Sequence, residues 1–168
     1  MADAPSNDAP HRLIDGVTFG DDVVVQAFVN LYGCRIGEGS RIGPFVEIQR
    51  DAVVGRRCKI SSHAFICTGV EISDEVFIGH AVVFTNDKHP RATAESGELQ
   101  TEADWELERT FVERGASIGS GAVVLSGIRI GEGATIGAGA IVTRDVPPHA
   151  VFAGNPARAL ARQPPPQP

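Results

Sequence analysis

Residues 36–84 read IGEGSRIGPFVEIQRDAVVGRRCKISSHAFICTGVEISDEVFIGHAVVF. Within them Ile36, Ile42, Ile48, Val54, Ile60, Ile66, Ile72, Ile78 and Phe84 recur six apart without a break. After an interruption the register resumes at Val112, Ile118, Val124, Ile130, Ile136 and Val142. Only 37 of the 168 residues are Ile, Val or Leu, so 14 of them in 15 slots is not chance. A second column of small or β-branched residues lies two positions earlier: Ser40, Val46, Ala52, Cys58, Ala64, Val70, Val76 and Val82. It resumes at Ala116, Ala122, Ile128, Ala134 and Ala140. A period of six suits neither an α-helix nor a long flat strand. It suits a very short strand with two inward residues, followed by a three-residue corner. Three such sides close a triangle of about 18 residues, and coils stacked at roughly 4.8 Å build a prism. The fold predicted is all-β, a parallel β-helix of hexapeptide repeats.

Outside that lattice the chain divides simply. Residues 1–12 and 163–168 (QPPPQP) read as disordered tails. The β-helix is expected over 13–150, with a short C-terminal helix over 151–162 after Gly154-Asn155-Pro156. The interruption, Thr85 to Phe111, makes a long loop of a kind that is usually functional.

Charge and composition exclude several classes. The formal net charge is −6, from 15 Lys+Arg against 21 Asp+Glu, which disfavours nucleic-acid binding. No apolar run reaches the length of a membrane span. With no apolar signal core near Met1, the expected location is cytoplasmic. At 42% hydrophobic residues the chain is not wholly disordered.

Cys34 and Cys58 fall in the small inward column and Cys67 follows Ile66, so packing accounts for all three. Gly37-Glu38-Gly39 and Gly131-Glu132-Gly133 repeat on the lattice and read as corners, not as a phosphate cradle. His63 and His80 are 17 apart, which puts them on one corner of the prism in successive coils. With His89 they show no H-x4-H pair, so a zinc site is not expected. Asn86 stands where the loop leaves the prism, and stacking by about 18 residues puts it above Thr68 and Arg50. An asparagine there can also simply start a turn.

Several stretches go further. Asn30-Leu31-Tyr32-Gly33-Cys34, Ser62-His63-Ala64-Phe65-Ile66-Cys67 and Phe77-Ile78-Gly79-His80 resemble nucleotide-aminosugar N-acetyltransferases of the hexapeptide-repeat type. So do Phe84-Thr85-Asn86-Asp87, Leu99 to Trp105 (LQTEADW) and Gly154-Asn155-Pro156-Ala157-Arg158. The narrowest of these, LQTEADW, is similar to enzymes that acetylate UDP-2-acetamido-3-amino-2,3-dideoxyglucuronate. A neighbouring group, acting on dTDP-3-amino-3,6-dideoxyhexoses, shares the Asn-Asp pair. The resemblance implies a left-handed β-helix and a homotrimer with acetyl-CoA lying between subunits. It also implies a role in surface polysaccharide precursor synthesis.

What the resemblance implies for residues is equally specific. Asn86 would hold the sugar amine, with His80, His63 or Asp87 as the protein base if one is used. Relatives often carry Glu after the cysteine of the SHxFIC segment, where this chain has Thr68. The sugar and uracil would lie near Asn30, Tyr32, Arg35 and Thr68. Acetyl-CoA would run along Ser120 and Ala138 toward Arg144 and Arg158, with no metal. His80 and Asn86, six apart, occupy adjacent corners, so a site using both takes them from different subunits.

Overall fold

The structure, a computed structural model, describes residues 11–160. The chain winds through three sheets in turn, making a three-sided prism of stacked coils. The first face holds Arg12–Asp15, Val29–Tyr32, Glu47–Ile48, Phe65–Ile66, Val83–Phe84, Val123–Val124 and Ile141–Val142. The second holds Thr18–Phe19, Arg35–Ile36, Val53–Val54, Val70–Ile72, Thr110–Val112 and Arg129–Ile130. The third holds Val24–Val25, Arg41–Ile42, Lys59–Ile60, Phe77–Ile78, Ser117–Ile118, Thr135–Ile136 and Val151–Ala153. Every pairing among these is parallel, and Glu47 lies beside Phe65, 18 residues on. This is the parallel β-solenoid that the period of six requires, consistent with the left-handed β-helix.

Both inward columns are the core. The large column from Ile36 to Val142 is nowhere more than 2% exposed, and the small column from Ser40 to Ala140 nowhere more than 4%. Ser40 and Thr110 are the polar members: Ser40 Oγ donates to Gly55 O (2.8 Å) and accepts from Cys58 N (2.9 Å), while Thr110 Oγ1 has no partner among the described residues. The three cysteines are buried and free, and burial pushes the thiols of Cys34 and Cys67 up to about 11. Unreactive packing residues are what such thiols are. The coils approach closely enough that a Cβ on Gly79 would lie 2.5 Å from the Ser120 nitrogen.

The corner between the third and first faces has two halves. In its lower half His11, Phe28, Phe45 and His63 all take left-handed backbone conformations, with φ of 66°, 61°, 58° and 62°. Their rings stack in one ladder, with centroids 4.8, 5.0 and 4.8 Å apart. A left-handed conformation costs a residue roughly 1–2 kcal/mol, and each stacked pair returns about 0.5–1.5 kcal/mol. In the upper half Ala81, Gly121 and Gly139 continue the left-handed column without rings. That half is a bare ledge.

Ion pairs line the corner between the second and third faces. Arg56 meets Asp74 at 2.9 Å, while Arg114 (2.9 Å) and Arg57 both bind Glu75. Hydrogen bonds from Arg114 and then Arg57 bring the Glu75 carboxyl down from 4.5 to about 2. A depressed carboxylate stabilises the fold above its unfolded value and loses that contribution as pH falls through the folded one. An acid melting series should therefore show a Glu75-dependent loss between about pH 4.5 and 2, absent in Glu75→Gln.

Three boundaries differ from the sequence reading. No segment of the described residues is a helix, so none is long and apolar enough to cross a membrane. Val151–Ala153 and Arg158–Ala159, expected as a C-terminal helix, are two strands paired antiparallel. The first of them carries the third face one coil further, with Phe152 beside Ile136. That step is 16 residues, so the six-residue phase is lost and the periodicity gives no warning. Thr110 and Phe111, expected in the loop, already form a strand against Val70–Ile72. His11 and Arg12, expected in the tail, join the aromatic ladder and the first face. The rest of both tails lies outside the described residues.

Candidate active site

The chain leaves the lattice after Thr85, at the corner between the first and second faces, and returns at Thr110. Its register is undisturbed: Glu71 pairs with Phe111 across the excursion. The loop closes on itself where Asn86 O accepts from Glu108 N (3.1 Å). Glu108 braces this root, accepting from Ser126 Oγ (2.7 Å) and Lys88 Nζ (3.3 Å). Those hydrogen bonds, Ser126 first, hold its carboxyl below the ordinary glutamate range. Beyond the root, Thr93 and Leu99 bridge to make a small hairpin. Thr101 then donates through N and Oγ1 to Asp104 Oδ2 (2.7 and 2.8 Å), a turn that sets the direction of Trp105.

The loop folds back over the lower coils and walls a cleft of about 640 Å³. On the prism side are Tyr32, Arg50, Thr68 and Asn86, in successive coils of one corner; Glu102, Trp105 and Leu107 form the loop side. Asn86 is fixed by donating Nδ2–H to Thr68 O (3.1 Å). Thr68 N donates to Gln49 Oε1 (3.3 Å), and Gln49 Nε2 donates to Glu47 Oε1 (3.0 Å). Burial and then the Glu47 carboxylate raise the Tyr32 phenol above its ordinary value, so it is a neutral donor here. Gly33 has no side chain to displace the Arg50 stem, since a Cβ there would lie 3.0 Å from Arg50 Cγ. One cation, two amides, a phenol and an indole thus face a single cleft, together with the carboxylates of Asp51 and Glu102.

Other expected residues lie elsewhere. Asn30 sits on the first face and Arg35 on the second, and neither lines this cleft; Arg50 is the cation that does. Asp87 turns upward, accepting from His89 N (2.7 Å), and with Lys88 and Arg144 it borders a smaller cavity of about 210 Å³. His80 is on the next corner, exposed, with Nδ1 2.8 Å from Ser62 Oγ and its backbone N–H donated to Ser120 Oγ (3.1 Å). His63 is on that corner too, but its ring is committed to the stack on Phe45. Ser120 and Ala138 are exposed on the bare ledge directly above His80. Arg158 lies on the final strand, its Nη1 donating to Ala157 O (2.9 Å). The expected residues therefore form two groups: Asn86, Thr68 and Tyr32 on one corner, His80, Ser120 and Ala138 on another. Among the described residues no three His, Cys, Asp or Glu side chains are grouped to hold a metal ion.

Arg50, Glu102 and Trp105 were not singled out as site residues by sequence reasoning. Arg50 was legible in principle, because stacking by 18 places it beneath Asn86. Nothing periodic places Glu102 or Trp105, which reach the cleft only through the loop's own turns.

The sequence profile of the bacterial transferase hexapeptide, in six repeats, matches residues 33–68 and 109–144, the two stretches on either side of the loop. This is a hexapeptide-repeat protein. The bifunctional protein GlmU of Azorhizobium caulinodans is 32% identical to it over 151 residues, 86% of this chain and 33% of that protein. GlmU of Thermotoga petrophila is 33% identical, over 85% of this chain and 28% of its own length. The hexapeptide-repeat protein thus spans about a third of the curated relatives it matches. Among solved structures, the hexapeptide-repeat acetyltransferase of Vibrio cholerae complexed with acetyl-CoA is 25% identical, with a TM-score of 0.65 over 77% of this chain and 70% of that one. An N-acyltransferase of Bacillus cereus, AntD, in complex with dTDP and coenzyme A, gives a TM-score of 0.75 at 18% identity. It is matched over 88% of this chain and 84% of its own. That last likeness is one of fold.

Proposed function

We propose that this chain is an acetyl-CoA-dependent N-acetyltransferase acting on a nucleotide-linked amino sugar. The substrate it fits best is the 3-amino group of UDP-2-acetamido-3-amino-2,3-dideoxyglucuronate. The observation that carries the reading is the cleft itself, where the Asn86 amide, the Tyr32 phenol, Arg50 and Trp105 converge. An amide oxygen accepts from an amine and orients its lone pair; a guanidinium meets a sugar carboxylate; an indole packs against the face of a sugar ring.

The reaction follows from those roles. The amine nitrogen attacks the thioester carbonyl carbon, the tetrahedral adduct collapses, and the C–S bond breaks to release CoA thiolate. One proton leaves nitrogen, to the departing thiolate or to a base. His80 suits the second path, because an imidazole that donates Nδ1–H to Ser62 Oγ keeps Nε2 free to accept. His63, held in its ring stack, and Asp87, held by His89 N, suit it less. Holding amine and thioester in contact supplies much of the rate without any strong base.

His80 and Asn86 lie on different corners of one prism, so this reading takes them from two neighbouring copies, as in a homotrimer with sites between subunits. The outer surface of the first face joins those corners and carries the column Phe65, Val83, Val123 and Ile141. Apolar and only half-buried, that column is suited to packing against another copy. Acetyl-CoA would lie along the ledge at Ser120 and Ala138.

The test is CoA-thiol release from acetyl-CoA with the UDP amino sugar and, in parallel, with dTDP-3-amino-3,6-dideoxyhexoses. Release with the UDP sugar alone is expected. Release only with a dTDP sugar would move the substrate and keep the chemistry, and silence with both would overturn the reading. A binding experiment adds to this, since Trp105 is the chain's single tryptophan and lines the cleft. The UDP amino sugar is expected to quench its fluorescence, and CoA alone is not.

A further inference from the structure

A second cleft, of about 440 Å³, lies on the third face beside the His80 corner, and no role has been given to it. Arg41, Lys59 and Phe77 stand in register on its floor, in three successive coils. Val24 and Gln26 close its lower end, and His80 with Ser62 its upper rim. Arg41 and Lys59 are exposed, and among the described residues neither pairs with a carboxylate. Arg56, Arg57, Arg114, Arg109 and Arg129 each have an acidic partner, whereas Arg35, Arg50, Arg91, Arg144 and Arg158, like Arg41 and Lys59, have none among the described residues. Arg41 and Lys59 differ from those in standing one coil apart on the floor of one cleft. The Lys59 ammonium is 5.9 Å from the centre of the Phe77 ring, which holds it over the cleft.

We propose that Arg41 and Lys59 bind the diphosphate of a nucleotide-linked sugar whose reacting end lies at His80. This deepens the function proposed above and rests on it. Coils are spaced at about 4.8 Å, so Lys59 and Arg41 stand about 5 and 10 Å below the coil of Phe77 and His80. In a nucleotide sugar the diphosphate is joined directly to the sugar ring, so a sugar amine near His80 puts the two phosphates within that span. Two cations one coil apart match two phosphates joined by one bridging oxygen. The nucleoside then reaches the apolar end at Val24. Acetyl-CoA also carries a diphosphate, but the whole pantetheine arm separates it from the thioester. With the thioester at His80, that diphosphate falls well beyond two coil spacings.

The test compares the intact protein with Arg41→Ala/Lys59→Ala, both exposed positions outside the core. Calorimetric titrations use UDP, inorganic pyrophosphate, uridine and CoA as separate probes, with a melting curve as the folding control. The expected result is a tenfold or greater loss of UDP and pyrophosphate affinity in the double variant, with CoA affinity changed less than twofold. A smaller dependence of UDP binding on salt should accompany it. Unchanged UDP binding, an equal loss of CoA binding, or no binding of UDP and pyrophosphate by the intact protein would each overturn the proposal. Turnover separates the two readings. An enzyme that acetylates the amino sugar with its KM unmoved by the double substitution keeps the function and loses the anion site. A protein that acetylates no amino sugar yet loses pyrophosphate binding on substitution keeps the anion site and loses the function.

Discussion

Asn86→Ala should lower kcat/KM for the amino sugar by a hundredfold or more, on the order of what a misplaced reacting group costs. The substitution removes the amide that would orient the amine, and it leaves every buried contact of the prism in place. The side-chain bond it deletes, to Thr68 O, is one half-exposed hydrogen bond. Such a bond contributes about 1 kcal/mol to stability, so the melting temperature should barely move. Steady-state kinetics on a variant with an intact melting curve is the measurement. Activity within a few-fold of the parent would remove Asn86 from the chemistry and leave it as a turn residue. Asn86→Asp refines the test, because it keeps an acceptor oxygen while losing the donor that Thr68 O fixes.

The largest stability effect is expected two residues earlier. Phe84 is fully buried, the largest such side chain among the described residues, and it is the last core residue before the chain leaves the lattice. Other positions of that column hold Ile or Val; the ring fills the coil that has no ordinary corner after it. Truncating a buried phenylalanine to alanine costs about 3–5 kcal/mol, from lost burial and from the cavity left behind. For a chain of this size that is a fall of roughly 10 °C in melting temperature. Activity should fall with it, since Asn86 and the loop root at Glu108 are anchored to the same coil. Phe84→Leu, which keeps most of the volume, should recover much of both. A Phe84→Ala variant that melted with the parent would mean the coil below the loop is not under tension to stay packed.

The repeat was legible because each residue's fate in a β-helix depends on neighbours at fixed intervals. Ile66 is buried for the same reason as Ile48 and Ile118, and a single period states all three. Stacking by 18 even placed Asn86 over Thr68, two loop-adjacent residues with no local signal that they touch. The sequence reading failed where that interval changed. Phe152 follows Ile136 by 16, so the period does not mark the strand it occupies and the sequence predicts a helix there. The ring ladder from His11 to His63 was also in the sequence, at steps of 17 and 18. Exposed aromatics on a corner carry no burial pattern, so the period alone does not mark it. Trp105 and Glu102 were out of reach for a different reason. Their positions depend on the turn at Thr101 and Asp104, a local bond that no period encodes.

The antiparallel strand that closes the described chain also bears on how the prism ends. A stack of near-identical parallel coils ends in unpaired backbone that matches its own repeat, and such an edge is a template for adding another chain. End-to-end addition of this kind does not close, and it yields filaments of indefinite length. Arg158–Ala159 runs back against Val151–Ala153 in the opposite direction, on the outermost edge of the third sheet. An incoming parallel coil meets an antiparallel strand there and finds no register to continue. The last few described residues thus leave the third face without a parallel edge to continue.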